Sequence, residues 1–183
     1  MININEQKLK NKYGEIKSYL EYYDEYGQPL VEEYAHELDD KVNSIKTYMS
    51  QIKEYDLEAD IPSLQQILIE LSSTIYFAND GLEKLNLMAD MSKIIYKDVY
   101  NNAYLTKQGN TEAGKKFSVP QLQAYADTEA LEENLINFIY QRACSVLNSK
   151  IDSANDLLKA CSKILSSRIQ ELQTFGVGGK YKN

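Results

Sequence analysis

Tyr96, Tyr100 and Tyr104 recur every four residues, with Lys93, Lys97 and Lys107 beside them and Lys115 and Lys116 close behind. On a helix this spacing sets three rings on one face and ammonium groups along its margin. Rings stack on bases and ammonium groups neutralise phosphates, so this is the mixture of side chains that single-stranded nucleic acid requires. The same rings also serve when packed on a neighbouring helix with the lysines in water. A second basic group follows at Lys150, Lys159, Lys163 and Arg168, in a stretch (141–183) that carries 7 Lys and Arg against 3 acidic residues. It forms either a ridge that tracks a phosphate backbone or an ordinary solvated helix face.

Other chemistries lack their residues. His36 is the only histidine, and the acidic residues around it (Glu32, Glu33, Asp39, Asp40) read as a solvated helix face rather than a metal site, because no second imidazole exists. No nucleophile, base and orienting carboxylate can be grouped, so no catalytic residue is assigned and the chain is expected not to be an enzyme. The segment "GVGGK" (176–180) fails as a phosphate-binding loop: Thr174 stands where the first glycine belongs, and Tyr181 stands where a Ser or Thr should hold magnesium. No metal, cofactor or small-molecule substrate is expected. Cys144 and Cys161 are 17 positions apart in one expected helix, about 25 Å at 1.5 Å per residue, too far for a disulfide, and read as small core hydrophobes of a reducing compartment.

The elements that position these residues are helices. Eight glycines and three prolines in 183 residues, with abundant Leu, Ile, Ala, Glu and Lys, predict an all-α protein. Leu9, Tyr13, Ile16, Leu20 and Tyr23 form one apolar stripe, which Gly27-Gln28-Pro29 should end in a turn. Val31, Tyr34, Leu38, Val42, Ile45, Met49 and Ile52 then form a second stripe, and the two are expected to fold back as an acidic N-terminal helical hairpin, residues 1–58. "DLEADIPS" (56–63) should break the chain, with Pro62 in the first turn of the next helix. That helix continues from Leu64 through Leu71, Ile75, Leu85, Met88, Ser92, Ile95 and Val99; the sequence leaves open whether Asp80-Gly81 kinks it.

A long helical hairpin is expected over 62–176, with its connector at 108–119 and a flexible tail at 177–183. "QGNTEAGKKFSVPQ" (108–121) gathers the turn residues, and Ser118 with Gln121 forms a capping box that restarts the helix. If continuous from 120 to 175, that helix carries the clearest periodicity in the chain. Tyr140, Cys144, Leu147, Ile151, Ala154, Leu158, Cys161, Leu165, Arg168 and Leu172 alternate spacings of four and three, a coiled-coil-like seam for packing or oligomerisation with one charge in it. Ile136, Ala143, Leu157 and Ile164 widen its apolar side. Gly176 should end it.

The net charge of −7 is unevenly distributed. Residues 1–80 hold 7 Lys and 16 Asp or Glu, whereas the remainder is slightly basic. No apolar run follows a basic start, and no window approaches the ~20 apolar residues of a membrane span, which predicts an unsecreted protein of the host-cell interior or of a virion, without membrane association.

The lysine- and tyrosine-bearing stretch "KIIYKDVYNNAYLTKQ", the connector "GNTEAGKKFS" and the long final "LNSKIDSANDLLKACSKILSSRIQEL" together resemble the small helical recombination-mediator proteins of phages, the UvsY-like family, over roughly residues 85–175. The resemblance implies an oligomeric, non-enzymatic helical protein that binds single-stranded DNA and protein partners while a recombinase is loaded. The implied contacts are Lys93, Lys97, Lys115 and Lys116 near the connector and Lys150, Lys159, Lys163 and Arg168 on the last helix. Two other readings remain open: a structural or adaptor protein of a phage virion or tail, in which long helices assemble into a larger particle, and an acidic DNA mimic built on the N-terminal half.

Overall fold

The structure, a computed structural model, describes residue 14 and residues 17–51, 57–109 and 116–178, with side chains described outside 51, 57–60 and 175–178. It is all-α, and among the described residues there is no strand. Among the described residues the named α-helices are α1 (Gln28–Gln51), α2 (Leu57–Gly109), α3 (Val119–Glu129) and α4 (Leu131–Gly178). The chain divides into two compact units, one containing residues 1–31 and 83–145, the other 32–82 and 146–183.

In the second of these units, α1 lies antiparallel to the first half of α2 and parallel to the second half of α4. Lys41 on α1 pairs with Glu70 on α2, and Asp39 on α1 pairs with Lys150 on α4. Leu38, Ile45, Leu64, Leu71, Leu147 and Cys161 are fully buried between the three helices. Burial at this level stabilises by about 1.5–3 kcal/mol for each large side chain. Hydrogen bonds from Lys41 and then Gln66 hold the Glu70 carboxyl below its usual range. The contribution of that pair is therefore complete at neutral pH and is lost as the pH falls through the lowered value.

Small residues let these helices approach. Ala35, Ala78 and Ala154 are almost completely buried, and a Cβ on Gly81 would lie 2.6 Å from Cγ of Tyr34 and 2.7 Å from its Cβ. Gly81 therefore does not kink α2, which passes through Asp80-Gly81 without interruption. It is the point where α1 rests directly on the α2 backbone.

In the other unit, the second half of α2 packs antiparallel to α3 and to the start of α4. Leu85, Leu122, Ala126, Ala130 and Ala143 form its dry centre. One polar group crosses it: the Ser92 hydroxyl, which donates to the Ala89 carbonyl at 2.8 Å, lies 3.3 Å from Oδ1 of Asn137, and that oxygen accepts from Gln141 at 3.2 Å. A buried polar pair of this kind has one favourable register, where an apolar pair has several.

Four expectations are corrected. The chain does not turn at Gly27-Gln28-Pro29: residues 17–22 are helical, Tyr23–Gly27 forms a π-helical turn in which Gln28 N–H donates to Tyr23 C=O, and α1 follows directly. The reason is steric. Pro29 brings no N–H and its ring would press on the carbonyl four residues back; the wider turn makes room without ending the helix. Second, α2 starts at Leu57, so Pro62 lies inside it rather than in its first turn, at the cost of one rung near the free end. Third, the helix from 120 onward is not continuous. Ala130, at φ −99° and ψ 16°, separates α3 from α4, although its N–H still donates to Ala126 C=O. Two residues earlier the Thr128 hydroxyl takes the Ala124 carbonyl at 2.8 Å, a back-bond that bends helices. Fourth, α4 runs through Gly176 to Gly178.

The capping box at Ser118 is formed, with the Gln121 side chain accepting from Ser118 N–H at 2.9 Å. Leu9, Tyr13, Ile16, Ile52, most of the connector and the tail from 179 lie outside the described residues. Substituting Gly81→Ala should lower stability by about 1–3 kcal/mol, because the new methyl meets the root of the Tyr34 side chain, whereas alanine for glycine in an open helix raises stability. Thermal unfolding followed by circular dichroism reads the sign directly.

Candidate functional site

Several of the basic candidates are engaged within the chain. Lys107 sits over two rings, 4.6 Å from the Phe117 centroid and 5.1 Å from that of Tyr125, so its ammonium group is held by α2's neighbours. Lys150 is bound to Asp39. Lys159 pairs with Asp156 at 2.9 Å, and Arg168, mostly buried beside Met49 and Ile164, pairs with Glu171 at 3.1 Å. The charge inside the α4 seam is thereby compensated one turn away. Lys93, Lys97, Lys116 and Lys163 are exposed; Lys115 lies outside the described residues.

Tyr96 and Tyr100 are half-buried, with ring centroids 6.1 Å apart and planes tilted by 51°. Burial and then the Asp127 carboxylate on α3 raise the pKa of Tyr100. Of the expected constellation, the structure therefore places Lys93 and Lys97 in solvent beside a tyrosine pair that leans on the protein.

The α4 seam is used within the chain. Leu147 and Ile151 are buried, and Tyr140, Leu158, Leu165 and Leu172 are half-buried. His36 is exposed and lies 3.6 Å from Asp40. No group of three or more His, Cys, Asp or Glu suited to a metal ion occurs among the described residues, and none of the described helices is long and apolar enough to cross a membrane.

An unexpected surface lies on α2. Leu87, Met88, Met91, Ile94 and Ile95 share one side of the helix, and each is between 39% and 63% exposed. The expected stripe placed Met88 and Ile95 in the core. They are outside it, and the buried line runs instead through Leu85, Ala89 and Ser92 toward the half-buried Tyr96 and Val99. The clue was the run "LNLMADMSKIIY": Leu87-Met91-Ile94 repeats the four-three spacing a second time, so a second apolar side, centred on Met91, lies about 120° around the helix from the buried line. Tyr22, Tyr26, Leu30, Leu135, Ile136 and Tyr140 line an open apolar groove.

No family model, no curated protein and no solved structure matches this chain.

Cys144 and Cys161 are free and buried, and burial pushes both thiols up. Little thiolate then exists at neutral pH. A thiol-specific chromogenic reagent should therefore titrate neither cysteine in the native protein and both in denaturant, and rapid native labelling would contradict the packing described.

Proposed function

We propose that the protein acts without catalysis, as a helical adaptor or structural component whose task is to hold other protein chains. The observation that carries this reading is the apolar side of α2. Five large side chains, each roughly half exposed, occupy two adjacent turns of one helix. Contiguous apolar surface of that kind on a protein marks a contact site. Helices supply such contacts through anchors at spacings of three and four, the spacing of Met88, Met91 and Ile95. The charges support the same reading. Several candidate cations are already engaged by carboxylates or rings within the chain, which leaves shape and apolar area as the main currency of recognition.

A photo-crosslinking amino acid at Met91, in the full chain expressed in its native host, should give protein adducts on irradiation, and the same group at the exposed, polar Gln108 should not. Absence of any adduct from position 91 would end this reading.

A second reading keeps single-stranded DNA as a partner, favoured by the exposed Lys93 and Lys97 beside the Tyr96–Tyr100 pair. In it the protein is a recombination mediator of the kind its second half resembles. Fluorescence anisotropy with a labelled oligonucleotide at about 50 mM salt should then show binding that falls steeply with added salt and weakens when Lys93→Glu and Lys97→Glu are combined. No binding at that salt excludes it.

A further inference from the structure

We infer that the apolar side of α2 is covered by a second copy of this chain, paired antiparallel about a two-fold axis at Met91. The inference rests on the adaptor reading above and names the occupant of its contact surface. It comes from how residue types are arranged about that methionine. On a helix, residues equally far before and after a central position sit at mirrored angles and opposite heights, and a two-fold axis perpendicular to two antiparallel helices brings each to the level of its counterpart on the other copy.

Between residues 83 and 99, seven side chains lie within about 60° of Met91 at 100° per residue. Reflection about Met91 matches Leu87 with Ile95, Met88 with Ile94, and Lys84 with Asp98. Apolar falls on apolar throughout, and the one basic residue falls on the one acidic residue. A parallel pairing in the same register would set Lys84 against Lys84 and Asp98 against Asp98. The pattern is therefore complementary to itself in one orientation, as an isologous contact must be.

The geometry of such a pair is compact. Leu87 and Met88 of one copy meet Ile94 and Ile95 of the other, twice, on either side of a central Met91–Met91 contact. Two Lys84–Asp98 pairs close the ends, where Lys84 and Asp98 are exposed and a charged rim belongs. Methionine at the centre suits a junction of two identical surfaces, because its unbranched chain fills whatever gap the crossing leaves. The area is adequate. The five exposed apolar residues present on the order of 400–500 Å² per chain, so a pair buries roughly 1,000 Å² with its polar rim, where specific association begins.

Sedimentation velocity of the full chain at micromolar concentration tests this, with three variants at exposed positions that leave the core untouched. The wild type should sediment as a dimer. Ile94→Glu should be monomeric with unchanged helicity. Lys84→Glu alone sets like charges together at both ends and should raise the dimer dissociation constant roughly tenfold, and combining it with Asp98→Lys should restore affinity to within about threefold of wild type. Restoration by the double exchange is expected only if residue 84 of one copy meets residue 98 of the other.

A wild-type monomer, a dimer that survives Ile94→Glu, or a double exchange no better than Lys84→Glu alone would each overturn the inference. A monomer that still gives adducts to a different protein from position 91 would overturn the second-copy assignment while leaving the adaptor reading standing; a monomer with no adduct would overturn both.

Discussion

Close approach of helix to helix is the constraint on which this protein depends. Where the helices touch, the buried positions are occupied by Ala35, Ala78, Ala126, Ala130, Ala143, Ala154 and Gly81 as much as by leucines. Small residues bring backbones near enough for the larger side chains on either side to interlock, and interiors packed in this way have no slack. The consequence at Tyr34 is direct: its ring root occupies the space a side chain at 81 would need. The Ser92–Asn137 contact adds direction to the same packing, since its hydrogen bonds hold in one register.

Much of this was legible in the sequence where the governing interaction is local. The capping box at Ser118 and Gln121 depends on residues three apart, and the structure forms it. The long periodic stretch around Leu147 and Ile151 had enough repeats to show its buried side. Errors came where two local causes compete. Glycine two residues before proline is a strong stop signal, yet a π turn answers the same steric demand and lets the helix continue past Pro29. Ala130 carries no signal at all: alanine is the best helix former, and nothing in its sequence neighbourhood marks the break. On α2, Met88 and Ile95 fit a core stripe as well as Leu85 and Ala89 do; a helix apolar on two sides gives the periodicity of either, and the neighbouring helices decide.

Composition counts the charges of the second half but does not show which of them are engaged within the chain. The structure shows Asp39, from the acidic half, bonded to Lys150, and Lys107 lodged between rings. Each of these is a tertiary fact, invisible along the chain, and each lowers the positive charge offered to solvent. The apolar side of α2 runs the other way: it is conspicuous in the structure because no part of the described chain covers it.

The π turn at Tyr23–Gly27 has a geometric consequence for the groove beside it. Tyr22 and Leu30 are eight residues apart, which on an uninterrupted α-helix would set them some 80° out of phase; the wide turn absorbs one residue, so they behave as if seven apart, two turns, and face the same way with Tyr26 between them. The extra residue works as a timing correction. Removing one residue from that turn would return it to ordinary α-helix with Tyr22 and Leu30 still in phase, whereas closing it to α geometry with every residue kept would swing everything before it by about 100°, carrying Tyr22 away from Ile136.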